Sequence, residues 1–137
     1  MSTEQNKLRI HEWYAAIDRA DLEGMMRIMS PNIIVHFPGQ GRPIDRAAYK
    51  EINAKFFAAF SDFDTRVLDQ IAEGDKVATR AMHSAIHRGE FEGFPGTGKK
   101  ITYTYIAIDR FEDGVVVEHW VEYDEVGLLE QLGGKTD

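Results

Sequence analysis

The sequence predicts an α+β fold: a cone in which helices from the first half of the chain pack into a strongly curved sheet made by the second half. Three observations carry this. Apolar residues recur with a helical period up to about residue 60 and in strand-like alternation beyond it. The turn signals Glu73-Gly74-Asp75 and Glu112-Asp113-Gly114 divide the second half into hairpins, the mark of an antiparallel meander. The two faces of the long strands differ in character, so the sheet curves around the helices and leaves an apolar cavity.

Residues 5–20 form the first helix, with Ile10, Trp13, Tyr14 and Ile17 on one stripe. Asp21 caps a second, shorter helix with Leu22, Met25, Met26 and Met29 on its buried side, and Ser30-Pro31 ends it. Residues 32–37 (NIIVHF) are a short strand, and a Pro/Gly-rich loop follows. Asp45 caps a third helix over roughly 46–60, burying Tyr49, Ile52, Phe56, Ala59 and Phe60. Strands are expected at 63–72, 76–87, 99–111 and 115–124, with a Gly-rich loop at 88–98. A short apolar segment, Val126 to Leu129, and a Gln131-Leu132-Gly133 stop close the chain. There are no repeats and no linker, so residues 1–137 are read as a single domain.

Composition narrows the function. Apolar residues make up 43% and charged residues 28% of 137, as in an ordinary globular protein. A net charge of −7 argues against nucleic acid or anionic membrane as partner. With no cysteine there is no disulfide, thiolate metal site or cysteine nucleophile. The polar start MSTEQNKLR and the absence of any long apolar run lead to the expectation of a cytoplasmic protein.

The chain is organised around residues 115–132, VVVEHWVEYDEVGLLEQL. On a regular strand Trp120 and Asp124, four residues apart, share a face. A three-residue turn with left-handed Gly114 would place Ile106, Ile108, Arg110, Val116, Glu118, Trp120 and Asp124 together, as a mixed face suited to a small-molecule pocket. A two-residue turn would set Asp109 against Glu118, an unfavourable pair. The other face, with Val117, His119, Val121, Tyr123, Tyr103, Tyr105 and Ala107, is broad and aromatic and is expected to be the outer face that forms a homodimer interface. The plainer reading of Asp124 is a solvated strand-end acid that caps the following segment.

His83 and His87, four apart on a strand, lie about 13 Å from each other and cannot share a metal, so no metal site is expected. His36 and His83 lie on strands that should line the cup. Residues 93–100 (GFPGTGKK) nearly match a phosphate-binding loop, but Lys100 replaces the Mg²⁺-binding hydroxyl and a strand follows instead of a helix. The segment reads as a connecting loop or as a lid carrying Phe91 and Phe94. No serine sits in a nucleophile elbow.

The C-terminal third carries a resemblance. G-E-F-x-G-x-P-x-T-G-K at residues 89–99, R-x-x-D-G at 110–114, and W-x-x-x-D followed by G-L-L-x-Q-L-G at 120–133 resemble the SnoaL-like polyketide cyclase (ester cyclase) family. That family belongs to the NTF2-like superfamily of cone-shaped α+β barrels. The front of the chain fits more loosely, through Trp13-Tyr14, His36-Phe37-Pro38 and the long third helix. The resemblance implies a cup for a hydrophobic, ketide-like molecule and an intramolecular aldol condensation without cofactor. It carries the acid/base role to Asp124. Where the resembling cyclases have a histidine on the neighbouring strand, this chain offers Arg110, with His36 or His83 as substitutes. Arg110, Arg80 or Tyr14 would stabilise an enolate oxygen. Trp13, Tyr14, Phe37, Phe56, Arg80, Phe94, Ile106 and Trp120 are the candidate substrate contacts. Two alternatives stay open: a non-catalytic ligand-binding protein, and an epoxide hydrolase on the same cup, which wants an Asp–Arg–Asp trio where this chain has Arg80, Asp124 and Met82.

Overall fold

A computed structural model describes residues 2–133. The order is α1 (Thr3–Asp18), α2 (Leu22–Ile28), β1 (Met29–His36), α3 (Arg46–Ala59), β2 (Phe60–Glu73), β3 (Lys76–His87), β4 (Lys100–Glu112), β5 (Val115–Tyr123) and α4 (Glu125–Gln131). The five strands form one mixed sheet in the order β1-β5-β4-β3-β2, with β1 parallel to β5 and the other pairs antiparallel. The helices cover its inner face. This is the α+β cone that the sequence predicts. Among the described residues no helix is long and apolar enough to cross a membrane.

Local chemistry explains the boundaries. Ser2 and Gln5 form a capping box at the start of α1, and Asp21 and Asp45 cap α2 and α3 through the amides of Gly24 and Ala48. Two boundaries differ from expectation. β1 begins at Met29 and runs through Pro31, because β1 is an edge strand and its register is broken between Met29 and Ile34, where a missing N–H costs nothing. β2 starts at Phe60, directly after α3, with left-handed Asp62 inside a register shift.

The β4–β5 hairpin departs from the expected register. The turn has two residues, Asp113 at φ 50° and Gly114 at φ 80°, and both left-handed conformations suit the strand twist. Glu112 pairs with Val115 and Phe111 with Val116; a bulge then sets Val117 aside, so that Arg110 faces Glu118 and Asp109 faces His119. The feared contact between Asp109 and Glu118 does not arise.

The faces are also reversed. Tyr103, Tyr105, Ala107, Asp109, His119, Val121 and Tyr123 point toward the helices, whereas Ile106 and Ile108 are 53% and 41% exposed on the outside. The expected dimer face is therefore the interior. The helices need a broad surface to pack on, and an aromatic face with a few paired polar tips supplies more area than one carrying Arg110 and Glu118.

Two apolar clusters hold the cone. One, around Ile10, Trp13, Met25, Met26, Val35 and Val116, joins α1 and α2 to the sheet. The other, Ala59, Phe60, Ala85, Ile101, Leu128 and Leu132, seats α4 at the opposite end. Phe56, Phe63, Tyr103 and Tyr123, which pack against the second cluster, also line a chamber that Tyr49 of the first reaches.

Candidate active site

A narrow chamber of about 60 Å³ lies between α1, α3 and the inner sheet face, lined by Ile17, Phe37, Tyr49, Ile52, Asn53, Phe56, Phe57, Phe63, His83, Tyr103, Tyr105, Val121 and Tyr123. That volume holds roughly four waters. It adjoins a vestibule of about 330 Å³, which shares Phe37, Ile52, Phe56 and Tyr123 and adds the 38–40 loop, Phe91, Glu92 and α4. A flat aromatic molecule is larger than the chamber, so it would sit in the vestibule and reach the chamber with one edge, between these rings.

Two hydrogen-bonded chains end at this chamber. In the first, Asp109 and His119 are both 1% exposed and meet at 2.5 Å through His119 Nδ1. With the Asp109 carboxyl as acceptor, His119 carries its hydrogen on Nδ1 and leaves Nε2 bare. The Tyr49 hydroxyl lies 3.4 Å from that Nε2. With Nε2 bare, the phenol hydrogen is available to His119, and the phenol oxygen is shared between the Asn53 side chain and the chamber. Trp13 stacks on His119 at 5.0 Å, a contact that supports an imidazolium when one forms. Burial pushes the Tyr49 phenol above its usual range, so it rests neutral.

In the second chain, Thr65 donates its backbone N–H and its hydroxyl to the two oxygens of Asp18, at 3.2 and 2.8 Å. His83 Nδ1 stands 2.9 Å from the same hydroxyl. Tyr14, Tyr103 and Tyr105 surround the His83 ring. Burial lowers His83 to about 4, so its imidazole is neutral near pH 7.

The expected site residues divide. Phe37, Phe56 and His83 line the chamber. Trp13 and Tyr14 stand directly behind it, against His119 and His83. Asp124 is not on the cup's face: it is exposed and accepts from Gly127 N at 2.9 Å as the N-cap of α4. Arg110, His36 and Trp120 meet on the outer face instead. Glu118 there accepts from His36 at 2.8 Å and from Arg110 at 3.2 Å, His36 stacks flat on Trp120, and the bond from His36, more than that from Arg110, holds Glu118 below its usual range. Ile106 and its cross-strand neighbour Arg80 are exposed on that side too. Phe94 bridges to Phe91 within the 88–98 loop. Phe91 packs on Phe56 and Phe60 at the vestibule. Among the described residues no three His, Asp or Glu side chains converge to hold a metal ion.

Sequence reasoning missed Asp109, His119, Tyr49 and the Asp18–Thr65 pair. The first pair left a trace. Asp109 is an acid at an inward position of an apolar strand, and in the correct register its cross-strand neighbour is a histidine. Asp18 and Thr65 are 47 positions apart and left none.

A family model for the SnoaL-like polyketide cyclase matches residues 8–132. The chain belongs to the SnoaL-like polyketide cyclase family. Solved structures agree with this SnoaL-like assignment. AclR of Streptomyces galilaeus, a proposed hydroxylase, is 32% identical over 98% of this chain and 100% of its own, with a TM-score of 0.92. IdmH of Streptomyces antibioticus, a proposed polyketide cyclase, is 34% identical over 95% and 99%, with a TM-score of 0.84. TsrD of Streptomyces laurentii is 25% identical over 97% and 98%, with a TM-score of 0.83. No curated protein matches the chain significantly.

Proposed function

We propose that this SnoaL-like protein is an acid/base enzyme that closes a ring in a hydrophobic, ketide-like substrate by intramolecular aldol condensation. The observation that carries the proposal is the buried chain Asp109–His119–Tyr49, which ends on the lone pairs of a phenol in an aromatic chamber. Tyr49 takes a proton from an activated carbon while its own hydrogen passes to His119 Nε2, and Asp109 balances the imidazolium. The enolate carbon bonds to a carbonyl carbon of the same molecule, and that carbonyl becomes an alkoxide. The proton returns through Tyr49 to the alkoxide, so the protein ends as it began. The relay requires the 3.4 Å gap between Tyr49 and His119 to shorten in the substrate complex.

The test is hydrogen–deuterium exchange at the activated methylene of an aryl β-keto ester, followed by NMR. Wild type should accelerate exchange, and Tyr49→Phe or His119→Asn should lose about 100-fold of that acceleration. Equal exchange in wild type and both variants would overturn the reading.

The likeness to AclR favours a second reading, hydroxylation of a substrate of the same class with dioxygen as oxidant and an external two-electron reductant that carries the second oxygen atom to water. Product mass separates the two: ring closure keeps the elemental composition or loses water, whereas hydroxylation adds oxygen. We place the protein in the cytoplasm as a homodimer, with the strip Ile106, Ile108 and Trp120 of the outer sheet face covered by the second copy.

A further inference from the structure

The Asp18–Thr65–His83 chain is a separate device in the same chamber. Thr65 has one hydroxyl hydrogen, and Asp18 receives it at 2.8 Å. Thr65 can therefore only accept from His83 Nδ1 at 2.9 Å, which fixes the hydrogen of His83 on Nδ1. Nε2 is left with a lone pair and has no protein partner among the described residues, on a ring that lines the chamber and is 5% exposed. The second Asp18 oxygen accepts the Thr65 backbone N–H, so two bonds hold the carboxylate against the hydroxyl. The groups around the ring are Asp18 and Tyr14 from α1, Thr65 from β2, and Tyr103 and Tyr105 from β4; Asp18 is the one carboxylate among them, and it acts on the far nitrogen only through the Thr65 hydroxyl.

A buried, neutral imidazole with a single bare nitrogen accepts and does not donate. We propose that His83 Nε2 receives an enolic or phenolic hydroxyl of the substrate, and that Asp18 and Thr65 are positioning residues that make it an obligate acceptor. The substrate class is thereby narrowed to enolised or hydroxylated ring systems with a free hydroxyl; a methyl ether at that position would leave Nε2 buried and unpaired. The inference rests on the chamber being the substrate site but not on the Tyr49 relay.

The test compares binding of a naphthol and its methyl ether, by naphthol fluorescence for the first and by competition for the second. Wild type should prefer the naphthol by roughly 10- to 100-fold. His83→Phe should abolish the preference, and Thr65→Val, which frees the tautomer, should shrink it. Tyr49→Phe should lose proton exchange yet keep the preference, so failure of the relay and failure of this proposal read differently. Nitrogen NMR of wild type supplies a measurement that needs no variant: His83 should show a protonated Nδ1 and a bare Nε2 whose resonance moves when naphthol is added and not when the ether is. A protonated Nε2 at neutral pH, or equal affinity for phenol and ether in wild type, would overturn it.

Discussion

Asp109 and Asp124 lie on β4 and just past the end of β5, and their surroundings separate them. Asp109 faces His119 in the interior, where an unpaired carboxylate would be costly, so the pair is a condition of folding as well as of the proposed chemistry. Asp124 sits where α4 leaves its first amides free and satisfies that of Gly127. Asp124→Ala should therefore cost about 1 kcal/mol in a urea melt and leave proton exchange unchanged, the opposite of Tyr49→Phe. Residue chemistry also predicts a pH dependence. His83 falls from 6.5 to about 4 on folding. Between those values the unfolded chain binds the proton and the folded one does not, so stability declines as pH falls through that window, by about 3 kcal/mol when complete. Asp18, raised by burial, works in the opposite sense, favouring the folded chain as pH falls. His83→Phe should flatten the loss of stability between pH 6.5 and 4; an unchanged slope would place the titration elsewhere.

At the scale of elements, α4 shows how a short helix is held. β5 ends at Tyr123, so Thr102 on β4 lies beyond its neighbour's reach, and the Gln131 amide takes the place of a strand, accepting from Thr102 N at 2.9 Å and donating to Thr102 O at 2.7 Å. Gln131→Leu should cost roughly 1–3 kcal/mol and speed hydrogen exchange in α4 before the rest of the chain, because two backbone groups lose their partner. The elements themselves were legible because their punctuation is local: Asp21, Asp45 and Asp113-Gly114 each act within a few residues. The site was less so. Both faces of β4 and β5 carry large apolar residues, so alternation could say which residues share a face but not which face is inside. That depends on which surface α1 and α3 cover, and on a bulge that no turn signal announces. His83 on β3, Phe56 on α3 and Phe37 just past β1 line the chamber, whereas His36, expected there on the same grounds as His83, faces outward. Asp124, Arg110 and Trp120 are expected in the cup because they lie on, or just past, the β4–β5 face that the sequence reads as inner, and that face is the outer one.

For the whole molecule, the reversal moves the proposed dimer surface to the outer strip of Ile106, Ile108 and Trp120. Ile106→Glu should yield monomers in sedimentation at micromolar concentration with the fold intact; dimers of undiminished stability would exclude this strip. The bulge has a consequence of its own for the cone. Removing one residue from a central strand ordinarily turns its later side chains inside out. Here Val116 points inward and Glu118 outward although Val117 stands between them, so Val117 is a spare place in the count. A chain lacking Val117 should pair as an unbroken two-residue hairpin, with Arg110 still against Glu118 and Asp109 still against His119. The protein thus has a point in the middle of its sheet where its length can change by one residue while its chemistry keeps its address.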